Sequence, residues 1–164
     1  MHQAITLLFP CSYGNRKIVD ELYEPEFKAV CTIPEFKTAF YDHDKLTTAP
    51  DYQVKPYPDL EPGICVGRTW MMKPEEYTRL YNDISKAGGR LINSVPEYNL
   101  MHLFPNVYPH LQGYTPKAFW YKNHHSIEAE AVNSEFSRFI TPYQLVASII
   151  TAPFRKTKYC ISYN

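Results

Sequence analysis

The sequence carries no surplus of charge: 17 basic residues balance 17 acidic ones. Neither a broad basic face for nucleic acid nor a polybasic membrane patch is therefore expected. No apolar run approaches the ~20 residues needed to cross a bilayer. The run Ala4 to Phe9 is too short for the core of a signal peptide, and a polar loop stands after it where a cleavage site would be. These absences point to a soluble, cytoplasmic chain. The four cysteines, Cys11, Cys31, Cys65 and Cys160, include no C-x-x-C pair, which argues against a zinc knuckle and a thioredoxin-like motif. They are read as reduced structural thiols, with Cys65 a small core residue in an apolar run. The familiar catalytic signatures are missing too: G-x-x-x-x-G-K-[ST], G-x-G-x-x-G after the first strand, H-E-x-x-H and G-x-S-x-G. That argues against P-loop NTPases, simple dinucleotide dehydrogenases, zincins and α/β-hydrolases. No internal repeat and no low-complexity tract is visible.

The chain does have 164 residues, 45% hydrophobic and 15% aromatic, and is rich in Tyr and Pro. That suffices for one folded domain, or one domain with a short appendage. Ala4 to Phe9 is short, continuous and mostly apolar, as expected of a strand buried on both faces of a parallel sheet. Pro10 ends it and leads into the polar loop Cys11 to Asn15. Ile18, Val19 and Leu22 recur at helical spacing, and Pro25 either interrupts that helix or begins a second one towards Val30. Phe36 to Tyr41 reads as the second strand. The proline-bearing stretch from about Asp44 to Glu61 is a long connection.

Pro62 and Gly63 open a third strand, Ile64 to Val66. The clearest helix starts at Pro74: Tyr77, Leu80, Tyr81 and Ile84 form one apolar stripe, Glu75 and Glu76 suit its positive end, and Gly88 and Gly89 stop it. Leu91 and Ile92 form a short fourth strand. Ser94 caps a helix through Met101, and Pro105 and Pro109 break the next stretch. Lys117 to Tyr121 reads as a strand, Ser126 caps a helix through Phe136, and Thr141 and Pro142 start another that includes Ile149 and Ile150. The fold class expected is α/β: a small doubly wound, mostly parallel sheet over residues 1–121. Residues 122–164 form a short extension, expected to be helical.

Candidate chemistry is sparse. His124 and His125 are adjacent, so their side chains diverge and suit a solvated loop better than a shared metal. His43, between Asp42 and Asp44, could bind metal or form a polar turn, and the turn is favoured. His102 and His110 are read as hydrogen-bonded structural histidines. The loop after the first strand, with Tyr13, Gly14, Asn15 and Arg16, lies where doubly wound folds bind ligands, although Asn15 or Ser12 could instead cap the next helix. Arg68 ends the third strand beside Gly67. Its planar fork could hold a carboxylate or phosphate, or pair with a neighbouring acid. Trp70, Met71 and Met72 suit the core or an interface. A pocket lined by Arg68 and Asn15 would favour small-molecule binding; an exposed patch over Trp70 to Met72 would favour a protein partner.

The stretch Gly67 to Tyr77, with Arg90 to Ser94 and Pro96 to Tyr98 after it, resembles the ATP-grasp clade named for one arginine and two lysines. The pattern is R-G-W-M-L-K-P-E-x-Y and then L-I-N-S-P-E-x-Y; here Thr69 replaces the glycine and Val95 shifts the second motif by one residue. His102 to Pro105, Tyr108-Pro109 and Gly113 to Lys117 match the next part of the family pattern, and Phe9-Pro10 and Tyr13 to Asp20 agree more loosely. The resemblance implies a pre-ATP-grasp domain leading into an ATP-grasp module, of which residues 122–164 would be a partial start. It also implies an ATP- and magnesium-dependent carboxylate–amine ligase, in which ATP phosphorylates a carboxylate and an amine attacks the acyl phosphate. It makes Arg68, Lys73, Tyr13 and Asn15 candidates for the substrate side, and Lys117 and Lys156 for the nucleotide. Residues 122–164 are far fewer than two nucleotide-holding lobes need, and the last acidic residue is Glu135. The expectation is a chain that cannot complete the ligase reaction alone, with a small carboxylate or a protein as partner, and with no metal ligand assigned.

Overall fold

In the computed structural model residues 5–115 are described in full, together with the backbone strands 118–122, 148–150 and 157–161. The chain forms two compact units, Met1–His102 and Leu103–Asn164, so residues 103–121 cluster with the second.

The first unit is built on β1 (Ile5–Ser12), and its apolar run explains its place. Leu7, Phe9 and Cys11 enter one core with Val19, Val30 and Phe40. Leu8 enters the other, with Ala39, Tyr41, Leu46, Cys65, Leu80 and Ile84. Successive side chains point to opposite faces, so one strand feeds both cores. β3 (Phe36–Tyr41) runs parallel along one side of β1, from Ile5↔Phe36 to Pro10↔Tyr41. β4 (Gly63–Gly67) runs parallel along the other side, from Ile5↔Ile64 to Leu8↔Gly67, and β5 (Gly89–Leu91) lies parallel outside β4. The parallel order is therefore β3-β1-β4-β5. The chain moves one way from β1 to β3, then back past β1 to β4 and on to β5. Right-handed crossovers in opposite directions place their helices on opposite faces. Accordingly α1 (Glu24–Val30) packs Phe27 and Val30 into the first core, and α3 (Pro74–Lys86) packs Tyr77, Leu80 and Ile84 into the second. The sheet is doubly wound, as expected. Burying Leu80 and Ile84 stabilises the α3 interface by roughly 1.5–3 kcal/mol each.

The segment after β1 differs from its expected helix. Gly14, at φ +71°, lets the chain reverse, and β2 (Asn15–Val19) pairs antiparallel with the end of β1 through Cys11↔Val19 and Ser12↔Asn15. The apparent helical spacing of Ile18, Val19 and Leu22 spans the end of this strand and a one-turn helix, Glu21–Tyr23. Pro25 then stands in the first turn of α1, the second of the two alternatives. The long connection begins later than expected, after α2 (His43–Thr48), which Asp42 caps by accepting from the Lys45 N–H at 2.9 Å. The Asp42-His43-Asp44 triplet is thus a helix start. Arg79 of α3 holds the beginning of the connection, donating to the carbonyls of Leu46, Ala49 and Pro50, and Asp83 accepts from the Val54 N–H at 3.0 Å.

Gly88, at φ +91°, turns the chain from α3 into β5, and Ser94 precedes α4 (Val95–His102). Residues 103–115 carry α5 (Phe104–Leu111), where a break was expected. Pro105 sits in its first turn, which tolerates proline; Pro109 lies inside, so the Pro105 carbonyl lacks the N–H four residues on. The remaining strands, β6 (Ala118–Lys122), β7 (Ser148–Ile150) and β8 (Thr157–Ile161), form an antiparallel sheet in the order β6-β8-β7. Ile149 and Ile150 therefore lie in a strand, not in the expected helix; so short a β-branched run does not separate the two by its period. The expected helix from Ser126 to Phe136, the pair His124-His125, and Lys117 and Lys156 lie outside the described residues. Among the described residues no helix is long and apolar enough to cross a membrane.

Candidate functional site

Between β1 and β4 the strand order reverses, and doubly wound sheets bind ligands beyond the carboxyl ends of strands at that point. A cavity of about 260 Å³ opens beyond the ends of β4 and β5, with Tyr23, Arg68, Tyr77, Asn93, Tyr98 and His102 among its walls. At ~30 Å³ per water this is room for roughly nine water molecules.

Its frame is built by two segments that answer each other. Buried Tyr98 accepts from the Met72 N–H at 2.8 Å and donates to the Met72 carbonyl at 3.0 Å. In return Tyr77 donates to the Asn93 carbonyl at 2.8 Å. The two tyrosines stack with centroids 3.7 Å apart and planes 5° apart, and His102 stacks on Tyr98 at 4.0 Å. Each helix start is closed by its own glutamate. Glu76 accepts from the Lys73 N–H at 2.8 Å, and Glu97 accepts from the Ser94 N–H at 2.6 Å and hydroxyl at 2.7 Å. Burial pushes the Tyr77 hydroxyl up to about 12 and raises that of Tyr98. Burial also lowers the His102 imidazole. The ring wall is therefore neutral at neutral pH, and Arg68 is the charged side chain of the lining.

Arg68 is held twice. Its backbone N–H donates to the Leu8 carbonyl at 2.8 Å. Its side chain meets Glu26 of α1 through Nε at 2.6 Å and Nη2 at 2.9 Å. Of the two roles open to Arg68 from the sequence, the ion pair is present; the same side chain also lines the cavity. The pair is 44% and 38% exposed, so it adds about 0–1 kcal/mol to stability.

The other sequence candidates do not join it. Lys73 stands at the start of α3 with Nζ 3.3 Å from a Glu76 oxygen, outside the cavity lining. Tyr13 is 88% exposed in the hairpin turn. Asn15 caps no helix; its Oδ1 accepts from the Lys17 N–H at 3.0 Å within β2. Sequence reasoning missed Tyr23, Tyr77, Asn93, Tyr98 and His102 as walls of one cavity. A signal was there: each motif places a tyrosine after Pro-Glu, in Pro74-Glu75-Glu76-Tyr77 and Pro96-Glu97-Tyr98. Of the aromatic and methionine run, Met71 is 64% exposed, Trp70 is half-buried edge-on to Tyr23, and Met72 is buried.

The cavity lining holds no carboxylate for a magnesium ion, and its one cation, Arg68, is paired with Glu26, so these walls do not form a built magnesium–ATP site. Among the described residues no group of three or more His, Cys, Asp or Glu could hold a metal ion. The fold and the cavity define a doubly wound α/β unit with a small polar cleft at its switch point. No family model matches the chain, and no curated protein matches it.

Proposed function

We propose that residues 5–102 act as the substrate-side unit of a carboxylate–amine ligase of the ATP-grasp type, taking a small carboxylate in the cavity beside Arg68. One observation carries the reading. The two segments on which the resemblance rests, Gly67 to Tyr77 and Arg90 to Tyr98, are joined by reciprocal tyrosine hydrogen bonds and together line that cavity. A guanidinium fork matches the planar carboxylate, while neutral rings and the Asn93 and Thr69 groups supply the remaining walls. On this reading ATP and magnesium are held outside residues 5–102, and this unit only binds and orients the carboxylate. A protein-docking role has less support, because Met71 alone of Trp70, Met71 and Met72 stands well exposed.

The test is a thermal-shift panel of small mono- and dicarboxylates, amino acids and their amides against the wild-type chain and Arg68→Gln. At least one carboxylate is expected to raise the wild-type Tm, by an amount that grows with ligand concentration, and to leave Arg68→Gln unmoved. A panel in which no carboxylate shifts the wild type, or in which Arg68→Gln responds equally, removes the proposal.

A further inference from the structure

A guanidinium carries five N–H donors in a fixed plane. Glu26 takes two of them, one on Nε and one on Nη2, along a single edge of Arg68. No other described residue accepts from that side chain. The unspent donors are both hydrogens of Nη1 and the second hydrogen of Nη2; one of the former and the latter form the outer edge of the fork. Arg68 lines the cavity, whereas Glu26 lies outside its lining. Glu26 sits in the first turn of α1.

From this arrangement we infer that Glu26 is a positioning residue: it grips the rear edge of Arg68 and so presents the outer edge to the cavity as a two-pronged receptor for one carboxylate. The inference rests on the proposed carboxylate site and deepens it. That edge offers two parallel N–H groups that match two oxygens of one carboxylate; phosphate, which a guanidinium also holds through two oxygens, is the comparison anion. The cavity's roughly nine-water volume restricts the ligand to a small acid. Glu26 also cancels the charge of Arg68. Recognition at this site is therefore directional, and removing Glu26 acts on it in two opposed ways. It frees the positive charge, which favours any anion, and it frees the side chain to swing, which disfavours this one. Positioning and competition thus predict opposite signs.

The experiment titrates propionate, with inorganic phosphate as the tetrahedral comparison, into the full chain labelled with ¹⁵N. It tracks the Arg68 Nε–H resonance and the amides of Gly67 and Asn93. Wild type, Glu26→Ala, Glu26→Gln and Arg68→Lys are compared, each with its Tm. Positioning predicts that Glu26→Ala weakens propionate binding about tenfold with little change in Tm, because the exposed ion pair stabilises the fold only slightly. Glu26→Gln keeps one acceptor and weakens binding less. Arg68→Lys keeps the charge but loses the fork, and it weakens propionate binding at least as much as Glu26→Ala. Equal or tighter propionate binding by Glu26→Ala overturns the inference and leaves the carboxylate site standing. Absence of propionate binding by wild type overturns the inference; absence across the whole carboxylate panel overturns both.

Discussion

Replacing Tyr98 by Phe removes one oxygen atom and two hydrogen bonds. In the wild type that oxygen satisfies both the N–H and the carbonyl of Met72, whose own exposure is 2%. The variant leaves a donor and an acceptor in a place that water reaches poorly. Each such group costs about 1–3 kcal/mol, and some relaxation of the 68–73 loop is to be expected, so the combined loss is about 2–4 kcal/mol. The ring remains and still stacks between Tyr77 and His102, so no cavity term is added. For a unit of about 100 residues this corresponds to a fall in Tm of roughly 10–20 °C. Urea denaturation gives the magnitude, with an unchanged m-value as the sign that the denatured state is unaltered. Hydrogen exchange gives the location, since protection of the Met72 amide should be lost selectively. Tyr77→Phe breaks a single bond to the Asn93 carbonyl and should cost about 1 kcal/mol. A loss below about 1 kcal/mol for Tyr98→Phe, with Met72 still protected, would refute the claim that this hydroxyl joins the two motifs.

Packing and titration supply two further expected outcomes. Gly89→Ala would place a Cβ 2.7 Å from Cys65 Sγ, 2.8 Å from Leu60 Cδ1 and 3.0 Å from Ile84 Cγ2, and should destabilise by about 1–3 kcal/mol in urea; Gly113→Ala, with nothing within 4 Å, is the control, and equal effects would count against the packing at β5. Tyr77 is held up to about 12 against 10 in the unfolded chain, so the neutral phenol contributes stability that is fully present below pH 10 and lost as pH rises towards 12; Tyr77→Phe should flatten that alkaline decline, and an unchanged urea midpoint against pH would sink the assignment.

The parallel layer was legible because its signals agree across levels. Leu7, Leu8 and Phe9 supply apolar side chains to two cores, and α3 carries a proline, acids, an apolar stripe and a glycine stop in the right order. The hairpin was not legible, because Ile18, Val19 and Leu22 imitate a helical period across a strand end and a one-turn helix. Ile149 and Ile150 misled for the related reason that a short branched run has no period to read. At the site, Arg68 was found from its place after a strand and a glycine. Lys73 was placed nearby in sequence, but Glu76 holds it at the helix start. The ring wall was hidden because Tyr77 and Tyr98 stand 21 positions apart and meet only once α3 and α4 pack on the sheet. Glu26 was invisible for the same reason: its partner Arg68 lies on the far side of two crossovers.

The first strand answers to neighbours on all four sides: a core on each face and a parallel strand on each edge. A substitution there that suits one face still shifts the backbone that serves the other, so two constraints must be met by one change. Over evolutionary time such a segment should drift slowest in the unit, with its hairpin tip at Tyr13 and Gly14 free to vary in length and composition. The site inherits that steadiness, because the Leu8 carbonyl of the same strand anchors the backbone of Arg68.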